Sequence, residues 1–369
     1  MEQQKTSRVL YLDAARCFAV LMVALNHAVN RTWDNYSQVP EEFARIGKLS
    51  SLLKAALTVA SHLGVPLFLM ITGALLLRRR FETKEDLRHF FRHNWLRLLI
   101  TAEIWFFLGY WFQVLLNPAK HLTEEGTGAV LRGLVKTLLF VDQIRFDSMW
   151  YVPMILTVYL MIPLLAVFLR QKALRRALLP AALLLFWTAM VFPALNAWLG
   201  FFGRDGYTNY LYYSNLFSMY LLYVLAGWAI AEGGLRRFSD RALMVLAVLS
   251  FLLCTALQFF SYSRSAHLLE YSSPGILLTA ALLFACFRRF GEKLRRFERP
   301  ITAMSRAAFA LYLLHVFPLA ALSWFFDLSA WPHTAKVLLL EIVPLAVSGL
   351  VIWPLSKIPF FRKYVFLIK

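Results

Sequence analysis

Residues 8–30 read RVLYLDAARCFAVLMVALNHAVN, a run apolar enough to cross a bilayer that still carries Asp13, Arg16, His27 and Asn30. At ~1.5 Å rise per residue, about twenty residues cross the ~30 Å hydrocarbon core. An ionisable group at the centre of that core costs roughly 2.5–3.5 kcal/mol on insertion scales unless it is paired or hydrated. The four polar residues are not scattered. Asp13, Arg16, Val20, Val23, His27 and Asn30 are separated by 3, 4, 3, 4 and 3 residues, so all six lie along one seam of a helix. Such a seam has to face other helices or a cavity, and in a membrane protein it marks a functional site by default. A plainer reading stands beside it: Asp13 and Arg16 pair as i,i+3 neighbours at the cytoplasmic end of the helix, and His27 is an interfacial residue at the other.

The rest of the chain has the same character. Hydrophobic residues make up 60% of the 369 and charged residues 16%, where a soluble domain has about 45–50% and 25%. The apolar runs are near-continuous over roughly 18–25 residues and lack the alternation of a transmembrane barrel, so the fold class is all-α integral membrane. Ten candidate spans follow, at residues 9–29, 52–77, 97–116, 149–169, 177–199, 211–231, 242–261, 274–290, 301–326 and 335–356. With short connections and no repeat, they are expected to form a single bundle and a single domain over 1–369. The three cysteines lie inside apolar runs and suggest neither a disulfide framework nor a metal site. Asp13 and Arg16 break up the first run in a way that a signal peptide does not.

The net charge of +18 has a topological explanation. Of the 39 Lys and Arg residues, 26 fall in segments on the same side as residue 1, 10 on the opposite side and 3 within spans. The positive-inside rule then places both termini in the cytoplasm. The basic loops serve as orientation signals and as partners of anionic membrane lipids, and nucleic acid is not expected as a partner. Arg78, Arg79 and Arg80, followed by Arg88, Arg92 and Arg97, gather at the cytoplasmic mouth of the second and third spans. Lipid contact is one role for them, and a polyphosphate such as coenzyme A is another, since guanidinium forks suit phosphate. The outer segment Gly128–Phe140 has the pattern of an amphipathic interfacial helix.

His27 lies eleven positions after Arg16, which is three helical turns plus ~20° and ~16 Å along the axis. One helix thus offers a fixed cation near the cytoplasmic side and a titratable base on the same face toward the outside. Histidine is the natural general base near neutral pH. No HExxH or GxSxG motif points to zinc or serine chemistry. His62 is expected to make a structural hydrogen bond across helices. Glu103 and Glu341 are candidate ion-pair partners for Arg16 or Arg306. His315, with Ser305 and Tyr312 on the same span, is either a second pocket histidine or a satisfied structural one. Trp150 and Tyr151 open the fourth span as belt aromatics, or as a platform on which a sugar stacks.

These residues carry a family likeness. LDAARCFAVLMVALNHA, with ten residues between Arg16 and His27, resembles the signature of the acyltransferase-3 family of bacterial membrane acyltransferases. GVPLFLMITGALLL, MWYVPMILTVYLMIPLL and SRAAFALYLLHVFP are similar to that family's second-span motif with Gly73, its aromatic-led fourth span with Pro163, and its late motif with Ser305, Tyr312 and His315. The resemblance covers most of the chain. It implies a stand-alone enzyme of the inner membrane, without the soluble hydrolase-like domain of some relatives, that passes an acyl group from cytoplasmic acyl-coenzyme A to a sugar or glycolipid hydroxyl. His27 is then the catalytic histidine and Arg16 its partner on the donor side. Arg78, Arg79 and Arg80 match the family's arginine motif approximately, and Asp13, Asn30 and Trp150 are supporting residues.

The alternative is a transporter or flippase of a lipid-linked sugar that uses Arg16 and His27 for binding and proton relay. Inverted repeats and broken helices in matching positions of two halves would mark it. A non-catalytic sensor or assembly subunit is a third reading.

Overall fold

The computed structural model describes residues 9–33, 46–140, 149–206, 219–262 and 269–368. Among the described residues there is no strand. The first helices are α1 (Leu10–Thr32), α2 (Lys48–Ser61), α3 (Gly64–Leu76), α4 (Lys84–Phe90), α5 (Leu96–Leu116) and α6 (Thr127–Leu138). They are followed by α7 (Tyr151–Arg170), α8 (Lys172–Phe186), α9 (Phe192–Phe201), α10 (Tyr220–Ala231) and α11 (Asp240–Tyr262). The last are α12 (Pro274–Phe290), α13 (Glu298–Leu314), α14 (Val316–Phe325) and α15 (His333–Leu355). Wide π turns at Phe91–Trp95 and Trp187–Val191 continue α4 into α5 and α8 into α9.

Eight helical stretches among the described residues are long and apolar enough to cross a membrane, and α10 and α14 are shorter apolar helices. The chain is an all-α, multi-pass membrane protein. Two of the ten spans expected from the sequence are not single helices. The 52–77 run breaks between α2 and α3, and the 301–326 run breaks at His315. Both breaks have one cause. Pro66 has no N–H to offer the His62 carbonyl four residues back, its ring crowds that carbonyl, and Pro318 stands in the same relation to Leu314. Of the expected 211–231 span, residues 211–218 lie outside the described residues.

The helices group into two compact units, Met1–Arg79 with Leu165–Ala308, and Arg80–Leu164 with Phe309–Lys369. α1 is the centre of the first. It packs against α2, α3, α12 and the 3₁₀ turn Gly291–Phe297. The seam does turn inward, with Val20 and Val23 buried, but the enclosure is wider than a seam: 14 of the 23 residues of α1 are buried. Alanines 15, 19, 24 and 28 supply the small surface that lets neighbours close in from several sides.

The tightest approach in this unit is between α3 and α10. A Cβ on Gly73 would lie 1.8 Å from the Val224 carbonyl oxygen, and one on Gly227 would lie 2.1 Å from that of Met70. Each helix thus contributes one glycine to a crossing in which backbone meets backbone. At its other end, α3 sets Gly64 against the Ala19 carbonyl and Val23 of α1. Small residues at both ends let α3 lie between α1 and α10 at van der Waals distance, the main source of helix association in lipid.

In the second unit α5 packs against α6, α14 and the π turn Phe361–Val365. The amphipathic Gly128–Phe140 stretch forms α6, whose buried Val130 and Leu134 cluster with Tyr110 and Val114. The Tyr110 hydroxyl donates to the Val130 carbonyl at 2.6 Å. This face of α6 is a protein contact, while Leu131, Val135 and Leu139 stay exposed.

Candidate functional site

α1 has neither glycine nor proline, so its hydrogen-bond ladder holds Arg16 and His27 at a fixed separation of ~16 Å. Near its first turn, two distant parts of the sequence meet. The Ser305 hydroxyl of α13 donates to Asp13 Oδ1 at 2.5 Å. One Arg16 guanidinium nitrogen donates to Asp13 Oδ1 at 3.1 Å and to Ser305 Oγ at 2.8 Å. One turn on, Cys17 Sγ donates to the Ile301 carbonyl at 3.2 Å. The plain i,i+3 pair is therefore present, but as one edge of a closed triangle that fastens α1 to α13. Arg16 takes its carboxylate from Asp13 and keeps a quarter of its side chain exposed, while Asp13 is nearly enclosed.

The triangle predicts an order of stabilities. Asp13→Ala removes the carboxylate paired with a partly buried cation. Breaking a buried pair costs about 3–5 kcal/mol, and the partial exposure of Arg16 sets the expectation at roughly 3 kcal/mol. Ser305→Ala removes a hydroxyl and is expected to cost about 1–2 kcal/mol. Melting of the purified variants checks the order, Asp13→Ala below Ser305→Ala below wild type.

At the other end of α1, His27 is half-buried. Beside it Asn30 Nδ2 donates to Asn26 Oδ1 at 3.2 Å, Asn26 Nδ2 donates to Ser61 Oγ at 3.1 Å, and Ser61 donates to the Thr58 carbonyl at 2.8 Å. Asn30 thus joins a chain that fixes this end of α1 to the last turn of α2. Asn26 lies off the seam and was not among the expected residues; its i,i+4 spacing to Asn30 was the available signal. His62 follows at the break. Its Nδ1 lies 2.8 Å from the Thr58 carbonyl, so that nitrogen carries a proton, and Nε2 lies 3.8 Å from Glu270 Oε2. The expected bond across helices is thus a bond back to α2, with Glu270 as a longer contact.

The arginine run after α3 does not act as one cluster. Arg78 donates to Glu232 Oε1 and to the Ala231 carbonyl, both at 2.7 Å, and so pins the end of α10. Arg79 is half-buried, and Arg80 is exposed and belongs to the second unit. The first unit also holds a cavity of about 430 Å³ at the ends of α10, α11 and α12, lined by Arg236, Arg288 and Arg289. Arg289 is tied to Asp240 at 2.8 Å and to the Arg236 and Phe238 carbonyls. Arg236 and Arg288 are the other two cations of its lining. Sequence reasoning counted both as orientation signals, though the paired arginines 236–237 and 288–289 at two span ends were the hint.

The remaining expected residues lie in the second unit. Tyr151 packs edge-on against Tyr312 at 5.5 Å between centroids, Trp150 packs against Tyr151 at 6.3 Å, and Tyr312 lies 6.4 Å from the His315 ring. The aromatic opening of α7 and the Tyr-Leu-His motif therefore form one row, buried at Tyr151, Tyr312 and His315. Tyr151 is a core residue and not a belt residue, being 7% exposed. His315 Nδ1 lies 3.0 Å from the Leu311 carbonyl, so that nitrogen carries a proton. The late motif is thus divided between Ser305 in the first unit and Tyr312 and His315 in the second. Among the described residues no group of His, Cys, Asp and Glu could hold a metal ion.

A family model described as an acyltransferase domain, of the acyltransferase-3 type, matches residues 9–356, nearly the whole chain. No curated protein and no solved structure matches it.

Proposed function

The chain belongs to the acyltransferase-3 family and is a membrane acyltransferase, and we propose that it moves an acyl group, most simply acetyl, from cytoplasmic acyl-coenzyme A to a hydroxyl of a cell-surface sugar or glycolipid, with His27 as general base. The observation that carries this reading is the arrangement on α1: a cation anchored through Asp13 and Ser305 near one end, and a half-buried histidine three turns away on the same face.

In this reading one domain spans the inner membrane with both ends in the cytoplasm, as the excess of Lys and Arg in alternate loops suggests. The donor phosphates dock at Arg236 and Arg288, beside the end of α10 that Arg78 fixes, and Arg16 steers the thioester arm inward. Arg79 and Arg80 enter through the family likeness alone. The acceptor hydroxyl comes from the outer side. His27 takes its proton as the oxygen attacks the thioester carbonyl; the new C–O bond forms, the C–S bond breaks, and the departing thiolate regains a proton. Asn26 and Asn30 keep the helix end, and with it the imidazole, in register. Trp150, Tyr312 and His315 enter as supporting residues through the family likeness alone.

The donor placement has its own test. A charge-assisted hydrogen bond contributes about 1.5–3 kcal/mol, so Arg236→Ala and Arg288→Ala are each expected to raise KM for acetyl-coenzyme A roughly tenfold or more. Because that contact is made equally before and during the reaction, kcat at saturating donor should hold. Unchanged KM in both variants would move the phosphates elsewhere.

A further inference from the structure

We infer that the segment following α15 builds a binding site for the phosphate of an anionic phospholipid headgroup, on the second unit. This goes beyond the acyl-transfer reading and does not depend on it.

The segment is held in place rather than left as a charged tether. Trp105 Nε1 of α5 donates to the Val365 carbonyl at 2.8 Å, and the Thr101 hydroxyl lies 2.6 Å from the Tyr364 carbonyl. Val365 and Phe366 are buried, and the Phe366 ring packs against Trp105. Docking in this way closes a cavity of about 350 Å³ between the start of α5 and the segment. Arg97, Lys357, Arg362 and Lys363 line it together with Leu367 and Ile368, and none of its lining residues is acidic. Two of the cations rest on aromatic faces, Lys357 over Trp353 at 4.1 Å and Lys363 over Tyr364 at 5.0 Å. Four like charges around one small cavity repel each other, and a bound anion reverses the sign of that interaction.

The surroundings say which anion. Trp353, Ile358 and Phe360 are exposed at 69%, 47% and 55% along the same stretch. A basic mouth beside exposed aromatic and aliphatic side chains suits a ligand with a phosphate on an apolar body. A lipid meets both features, and a freely soluble phosphate only the first. The Lys and Arg bias of the loops places this mouth on the cytoplasmic side, where basic residues meet anionic headgroups.

Native mass spectrometry of the purified full-length protein, titrated separately with phosphatidylglycerol and phosphatidylcholine, tests the site. Phosphatidylglycerol is expected to bind the wild type preferentially. The double variant Arg362→Ala/Lys363→Ala, which loses two surface cations, should bind it roughly 30-fold more weakly. Arg362→Lys/Lys363→Arg keeps the charges and should keep the binding, which separates loss of the site from loss of the fold. Equal retention of the two lipids, or equal phosphatidylglycerol affinity in the wild type and the alanine variant, would overturn the proposal. So would displacement of phosphatidylglycerol by coenzyme A, which would give the cavity to the acyl donor.

Discussion

Replacing His27 with alanine is expected to lower acyl transfer by roughly 10²–10⁴-fold, the usual contribution of a positioned general base, while leaving a folded protein. The bonds that hold this end of α1 run through Asn26, Asn30 and Ser61. Alanine is also the best helix former, so α1 should persist. The loss should fall on kcat. The arginines assigned to the donor phosphates lie outside α1, so KM for acetyl-coenzyme A should be nearly unchanged. His27→Gln is the companion variant, because it keeps a polar side chain of similar reach but cannot take a proton, and it should be as slow as the alanine variant. Initial rates with labelled acetyl-coenzyme A, alongside melting curves of the three proteins, decide the matter. An active glutamine variant would make His27 a hydrogen-bonding residue and remove the base from the mechanism.

Gly73→Ala is expected to cost the protein its fold. Overpacking a core with side-chain atoms costs about 1–3 kcal/mol when neighbours can shift. Here the new methyl carbon would sit 1.8 Å from a backbone carbonyl oxygen of α10, and no rotamer relieves that. α3 and α10 would have to separate, undoing the reciprocal crossing at Gly227 as well. Gly227→Ala should behave in the same way. Gly349 supplies the control, since a Cβ there meets nothing within 4 Å and the residue lies inside α15. Gly349→Ala should be neutral or stabilising by up to ~1 kcal/mol, as glycine is the poorer helix former. Yield of monodisperse protein and melting temperature in detergent read all three. Wild-type stability in Gly73→Ala would contradict the crossing.

These two variants also show how much the sequence disclosed. Membrane class was legible because length and apolarity of a run are local properties that lipid imposes directly. The seam on α1 was legible for the same reason, since helical spacing alone sets which residues share a face. What the seam would touch was not. Nothing in the spacing links Asp13 and Arg16 to Ser305, 289 residues beyond Arg16, although the motifs that hold them were each singled out. Gly73 stood out through family likeness, but its physical reason is the backbone of a particular partner helix, and periodicity does not name partners. The broken spans at His62 and His315 were readable in principle from Pro66 and Pro318, and were lost because a hydropathy run does not register a missing N–H. Arg236 and Arg288 were hidden by a competing explanation that sufficed for them, the charge bias of cytoplasmic loops.

In the proposed reaction an acyl group leaves coenzyme A and becomes an ester on an acceptor hydroxyl. The most direct measurement follows the label from [acetyl]-coenzyme A in proteoliposomes containing the purified protein and a lipid-linked sugar acceptor. The expected result is label in an alkali-labile ester on the acceptor, one free thiol released for each ester formed, and neither product with the His27→Ala protein. Label that stays on coenzyme A while the acceptor crosses the bilayer, with no thiol released, would contradict it.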